Sequence, residues 1–325
     1  MLPSPIHAHP WESSDLDSLF ILGDKAQSMS FVKNILGPMR PPFLILTPAC
    51  VLLGVGAASW TSGSVDISHA VLALIGALCA HISVNAFNEY SDYKSGLDLR
   101  TERTPFSGGS GTLPAHPEMA RSALITAATT FTITGLIGVF FLFVRGMALL
   151  PLGVLGLVIV IAYTPYITRR PLLCLIAPGL GFGPLMVMGT HVALTGVYSW
   201  TAFFASLIPL FLVSNLLLLN QFPDVDADRS IGRKHYPIVI GNRGSAFVYA
   251  AFLALTYLSL AAGVCVGHLP LASLFGMATL VLAAPAAFGA YRHADNRDKL
   301  IPFMGMNVII NIATPVLVAV GLLIS

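Results

Sequence analysis

Two short stretches of this chain carry side chains suited to metal and phosphate chemistry. The first reads Asn88-Glu89-Tyr90-Ser91-Asp92-Tyr93-Lys94-Ser95-Gly96-Leu97-Asp98, the second Asn220-Gln221-Phe222-Pro223-Asp224-Val225-Asp226-Ala227-Asp228-Arg229. In each, an Asn is followed four residues later by an Asp, and the second continues to Asp228. Four-residue spacing stacks side chains on one helix face. Asn88 and Asp92 should therefore point together, as should Asn220, Asp224 and Asp228. Asp226 sits roughly 200° round from Asp224 on a regular helix and is the weaker candidate. Carboxylate and amide oxygens are hard ligands, and Mg²⁺ takes a few carboxylates while filling its shell with water and phosphate oxygens. A diphosphate carried by Mg²⁺ is the natural guest. Either stretch alone reads equally well as a solvated helix end; two on one side of the protein make a coincidence hard to sustain.

The elements that must position these residues are hydrophobic helices. Of 325 residues, 55% are hydrophobic and 10% charged, against about 25% charged in an average chain. A membrane span needs about 20 mostly apolar residues. Nine runs qualify: 42–60, 68–91, 121–144, 146–166, 172–194, 201–222, 246–267, 269–291 and 301–324. The expected fold is an all-α membrane protein of about nine transmembrane helices around a central cavity. Residues 1–34 form an N-terminal segment and 35–325 the membrane domain. One motif ends the second span and the other ends the sixth. Helices 1–4 and 5–8 read as two parallel repeats followed by one further helix, an arrangement that preserves orientation and brings both motifs out on one side.

Charge supports that count. Sixteen of the seventeen Lys and Arg fall in the N-terminal segment or in the loops after spans 2, 4, 6 and 8; only Arg145 falls opposite. The positive-inside rule puts the N-terminus and both motif loops in the cytoplasm. Of the fifteen acids only Asp66 lies opposite. The basic residues form no continuous stripe, which argues against nucleic acid. No cleavable signal is apparent. Leu16–Leu36 reads as a surface amphipathic helix, with a disordered tail an equal reading up to Ser14. Cys50, Cys79, Cys174 and Cys265 lack metal or redox spacing and read as small hydrophobes. His69, His81, His191 and His268 read as packing or hydrogen-bonding groups.

These motifs resemble those of the UbiA superfamily of intramembrane prenyltransferases, in its MenA-like branch. Asn88 to Asp98 resembles the family's first motif. Asn220-x-x-x-Asp224-x-Asp226-x-Asp228-Arg229-x-x-Gly232-Arg233-Lys234 resembles the second. Arg40-Pro41, Tyr163-Thr164-Pro165 and the Gly181–Gly189 stretch also fit, so the resemblance runs from about residue 34 to the C-terminus. It implies that Mg²⁺ bridges the acids and a prenyl diphosphate, that diphosphate leaves, and that a nucleophilic carbon, usually aromatic, attacks the allylic cation. A dry apolar tunnel would hold the tail and exclude water.

The resemblance implies a metal shell of Asn88, Asp92, Asp98, Asn220, Asp224 and Asp228, with Asp92 and Asp224 central to catalysis. Lys94, Arg103, Arg229 and Lys234 are candidate diphosphate contacts, or simply topology signals. Tyr163 is a candidate for steadying the cation, or an interfacial anchor. Arg40 is a candidate contact for an anionic acceptor. The expected partners are a prenyl diphosphate, a hydrophobic acceptor such as 1,4-dihydroxy-2-naphthoate, and the bilayer. A terpene cyclase acting on the diphosphate alone and a secondary transporter are the rival readings. A soluble prenyl diphosphate synthase is excluded because its helices would not be apolar all round.

This sequence departs from the family pattern in three places. Glu89 stands where Asp is common and His235 where Thr is common. Pro223 should kink or end the helix before Asp224. The Gly-rich stretch Thr104–Pro114 reads either as a loop closing over diphosphate through backbone N–H groups or as a plain connector.

Overall fold

The computed structural model describes residues 35–325. The 1–34 segment, with nearly all of Leu16–Leu36, lies outside the described residues. Every one of the nine apolar runs is helical: α1 (Leu46–Ser62), α2 (Ile67–Lys94), α3 (Ala120–Arg145), α4 (Leu150–Ala162), α5 (Pro171–Thr195), α6 (Trp200–Asn220), α7 (Tyr236–Cys265), α8 (Leu271–Arg292) and α9 (Arg297–Leu323). Among the described residues there is no strand. Seven helices are long and apolar enough to cross a bilayer, and eight if α1 is counted with the turn before it. α4 is the shorter one. The chain is an integral, multi-pass membrane protein.

The boundaries move where proline and glycine dictate. Pro41 and Pro42 open a 3₁₀ turn, Pro41–Phe43, and α1 leaves the preceding segment at 55°; proline supplies no N–H to continue a helix. α7 begins ten residues before the apolar run, but Gly241 at φ 75°, ψ 165° interrupts it, so the continuous span starts beyond that residue. In α5, Pro178 and Pro184 accompany a π-helical stretch, Gly181–Met188, a wider winding frequent at functional sites. Both motif helices start on a side-chain cap. Asp66 accepts from the His69 N–H at 3.0 Å, and Ser199 from the Ala202 N–H at 3.0 Å. Such caps contribute about 0.5–2 kcal/mol each.

Lipid tails are as apolar as leucine, so packing and interhelical hydrogen bonds hold the bundle together rather than a hydrophobic drive. α6 is the most buried span and α3 the most exposed. Leu53, Ile208, Leu212, Leu260, Met304 and Ile310 lie in one core spanning α1 and α5–α9. Gly179 and Gly183 let α5 touch the α6 backbone: a Cβ would sit 2.0 Å from the Leu210 carbonyl oxygen or 2.4 Å from that of Ser206. Asn215 Nδ2 donates to the Tyr249 carbonyl at 2.8 Å, and the Tyr249 hydroxyl donates to Asn307 Oδ1 at 3.1 Å. α2 packs most extensively on α3, whereas α6 packs extensively on both α5 and α7. On the α2–α5 side of this core the helices surround a cavity of about 580 Å³.

The histidines are used in packing and hydrogen bonding. His81 meets the Thr47 hydroxyl at 2.8 Å and the edge of Phe182, His191 meets Thr61 and Ser199, and His268 stacks on Trp200 and Phe204. All four cysteines are free.

Candidate active site

Asn88, Asp92 and Asp98 from the first motif, and Asn220, Asp224 and Asp228 from the second, line the polar end of this one cavity, together with Tyr163 and Arg40. On α2, Asn88 and Asp92 share a face as four-residue spacing requires. The second motif is not one helix. α6 ends at Asn220, a turn containing Pro223 follows, and a short helix, Val225–Ser230, begins after Asp224. Asp224 and Asp228 remain one helical turn apart through the Asp228 N–H to Asp224 carbonyl bond of 2.9 Å. Asp226 points outward and pairs with Arg229 at 3.6 Å on the surface.

The four cations the sequence offered as diphosphate contacts are not among the cavity's lining residues. Lys94, Arg103, Arg229 and Lys234 are all solvent-exposed. Lys94 lies over the Tyr90 ring, and Arg103 donates to the Ser110 carbonyl at 2.9 Å. The cations inside are Arg40 and, from the second motif's loop, Arg233. Gly232, at φ 82°, turns the chain back after Asp228, and the Arg233 guanidinium returns between the two motifs. It donates to Asp228 Oδ1 at 2.8 Å and to Asp92 Oδ1. Its side chain is only 14% exposed. The two carboxylates hold its pKa far above the ordinary guanidinium value against the opposing effect of burial. His235, buried, meets the other oxygen of Asp228 at 2.9 Å. Sequence spacing does not reveal this, because the reach depends on the reversal at Gly232.

Glu89 is not among the cavity's lining residues and is 1% exposed. Arg40 Nε donates to its Oε1 at 2.8 Å; the Ser110 N–H donates to Oε1 at 2.7 Å and the Ser110 hydroxyl to Oε2 at 2.8 Å. Three residues earlier in the same loop, the Ser107 hydroxyl donates to Asp224 Oδ1 at 3.2 Å. The Ser107–Gly111 loop therefore ties the first motif to the second across the cavity mouth. Gly108, Gly109 and Gly111 all have φ between 72° and 83°, a region closed to most side chains. A Cβ on Gly109 would lie 3.1 Å from Asp98 Oδ1. The extra methylene of Glu89 is what lets a carboxylate rooted on α2 reach this loop.

Five carboxylates (Glu89, Asp92, Asp98, Asp224, Asp228) thus meet two guanidiniums, Arg40 and Arg233. The surplus negative charge shows in the titration. Burial, then the charges of Glu89 and Asp92, pushes Asp98 up to about 7. Burial, then the charge of Asp228, pushes Asp224 up to about 7. Asp228, bonded to His235 and Arg233, is held below the ordinary carboxylate value against burial. Asp98 Oδ2 and Asn220 Oδ1 are buried with no protein partner. Oxygen donors, surplus negative charge and orphaned acceptors fit a hard divalent cation. Among the described residues no three acids or imidazoles converge at metal spacing; Mg²⁺ takes only a few protein ligands and completes its shell with phosphate and water.

Away from this end the lining turns apolar. On α2 it runs along one face from Asp92 through Val84 and Ala80 to Ala73, roughly 28 Å at 1.5 Å per residue, nearly the depth of a hydrocarbon core. The cavity is thus a hydrophobic slot with a charged mouth.

Comparison with known proteins agrees with this geometry. The chain is 28% identical over 282 residues to the 1,4-dihydroxy-2-naphthoate octaprenyltransferase of Mycobacterium tuberculosis, covering 85% of this chain and 91% of the relative. The fold is similar to that of an apo UbiA homolog from Aeropyrum pernix K1, with a TM-score of 0.67 at 20% identity over 88% of this chain and 98% of that one. It is also similar to a UbiA homolog from Archaeoglobus fulgidus bound to DMAPP and Mg²⁺, with a TM-score of 0.55 at 16% identity over 88% and 99%. Residues 48–309 match the UbiA prenyltransferase family, and with two motif ends meeting over one membrane-depth cavity, the chain belongs to that family of transferases.

Proposed function

We propose that this protein transfers the prenyl group of a prenyl diphosphate to an aromatic acceptor of the 1,4-dihydroxy-2-naphthoate type, releasing diphosphate and requiring Mg²⁺. The observation that carries the reading is the junction of a carboxylate-rich mouth and an apolar slot in one cavity. The similarity to a naphthoate octaprenyltransferase supports the acceptor class, and the Mg²⁺ and DMAPP bound by the Archaeoglobus fulgidus homolog support the donor.

Asn88, Asp92 and Asp98 on one side, and Asn220, Asp224 and Asp228 on the other, would hold the metal. Mg²⁺ supplies positive charge to a diphosphate that becomes more negative as it leaves. Arg233, already between the motifs, adds a fixed cation at that point, and preorganised charge of this kind acts strongly where water is excluded. Ser107, Gly108 and Gly109 of the loop line the same space. The slot keeps water from an allylic cation. Tyr163, at the end of α4, offers a ring face or hydroxyl to that cation. Arg40, held by Glu89, keeps its remaining N–H groups for an anionic acceptor. The distribution of basic residues supports a cytoplasmic mouth.

Product analysis by mass spectrometry tests the reading, with purified protein, Mg²⁺ and panels of donors and acceptors. A prenylated naphthoate with stoichiometric diphosphate is the expected outcome. A cyclic hydrocarbon formed without any acceptor would replace it with a cyclase, and absence of diphosphate release from every donor would remove it. Transport is disfavoured because the acids sit at one end of the cavity rather than at mid-membrane.

A further inference from the structure

The helical glycines of this chain fall into two kinds. Gly179 and Gly183 have neighbours so close that no side chain fits. Gly135 and Gly138 on α3, and Gly153 on α4, have nothing within 4 Å of where a Cβ would stand; Gly156 on α4 meets only Leu185, at 3.8 Å. None of these four has a positive φ. Glycine inside a helix is unfavourable relative to alanine, and here neither tight packing nor backbone conformation accounts for it. All four line the cavity. What they do is leave space in it. None of the residues of α4 is buried, so this helix is a thin wall with the slot on one side. At the slot's charged end, Asn220 Oδ1 is buried and unpartnered, an acceptor awaiting a ligand.

The depths of these glycines are graded. Tyr163 marks the charged end of α4. Gly156 lies seven residues from it and Gly153 ten, or about 10 and 15 Å along the helix. Gly138 lies deeper: its neighbour Ile137 packs at Gly76 of α2, sixteen residues and about 24 Å from Asp92. We infer that Gly156, Gly153 and Gly138 gauge the hydrocarbon tail of the donor, the side chain at each depth setting the longest tail the slot accepts. This rests on the reading of the mouth as a prenyl diphosphate site.

The test replaces each glycine by leucine in the full-length protein in nanodiscs. Mg²⁺-dependent thermal stabilisation is titrated with dimethylallyl diphosphate, geranylgeranyl diphosphate and a longer polyprenyl diphosphate. Dimethylallyl diphosphate, whose tail ends short of all three positions, should bind every variant as it binds the wild type. Gly156→Leu should weaken both longer donors by about tenfold or more, the scale at which a pocket senses added carbons. Gly153→Leu should do so less for geranylgeranyl diphosphate, and Gly138→Leu for the longest donor alone. Alanine at the same positions should give the same order with smaller losses, and covers the case of a leucine variant that fails to fold. Equal weakening of short and long donors, or undiminished binding of the longest donor in all variants, would overturn the gauge while leaving the site intact. A wild-type protein that binds none of the three would overturn the donor reading itself, and the gauge with it.

Discussion

Arg233 and Asp92 stand 141 residues apart in sequence and share a hydrogen bond at the cavity mouth. The same guanidinium holds Asp228, so one side chain joins the two halves of the bundle where their charged ends converge. Two carboxylates that would repel each other are kept together by a cation belonging to the chain itself.

Removing that cation should unbalance the mouth. Arg233→Ala leaves Asp92 and Asp228 buried without their shared partner, a kind of loss that costs about 3–5 kcal/mol. Thermal unfolding should show the loss, and millimolar Mg²⁺ should recover more stability in the variant than in the wild type. Equal Mg²⁺ effects on both proteins would place the metal away from this pair.

Asp92→Ala and Asp224→Ala should each lower turnover by about 10²–10³-fold or more, the scale for losing one transition-state contact. Membrane insertion and helical content should persist, measured by extraction and circular dichroism. A variant that retains turnover removes its carboxylate from the reaction.

Glu89→Gln tests the tie between α2 and the loop. The amide keeps the size of the carboxylate but loses the charge facing Arg40, at a cost of about 1–3 kcal/mol. The Ser107–Gly111 loop should become more open to proteolysis and donor KM should rise, while Mg²⁺ affinity stays near wild type. A large fall in Mg²⁺ affinity would instead make Glu89 a ligand.

Acidity should act in opposite directions on metal binding and on the metal-free fold. Asp98 and Asp224 hold protons up to about pH 7, and a metal must displace them. Mg²⁺ affinity should therefore fall below pH 7, by up to about tenfold per unit for each proton displaced. Without metal, the folded state binds more protons than the unfolded state between the ordinary value of 3.8 and about 7. This contribution to stability is present in full below that window and lost as pH rises through 7. Asp228, held low, contributes in full above the ordinary value of 3.8, and that contribution is lost as pH falls below it. Calorimetry either side of pH 7, with and without Mg²⁺, checks both signs.

The spans and the paired motifs were legible because each is written in local terms, apolar length for one and four-residue spacing for the other. Asn88 and Asp92 follow from helix geometry alone. The break at Pro223 was also readable, since proline cannot donate. Of the two inner cations, Arg40 was named as a candidate contact from the sequence and Arg233 was not. Positive-inside counting treats Lys94, Arg229, Arg233 and Lys234 alike, and only the fold around Gly232 distinguishes the one that turns inward. Glu89 read only as a departure from the usual Asp, and its partners Arg40 and Ser110 come from segments whose approach no spacing rule encodes.

The stretch Met147–Ala162 has sixteen residues and rises about 24 Å, while a bilayer's hydrocarbon is about 30 Å thick. Local thinning of the bilayer, flanking side chains that reach the interface, or association with a second protein meets such a mismatch. The outer wall of the slot is therefore the place where membrane thickness, a physical variable outside the protein, bears on the enzyme.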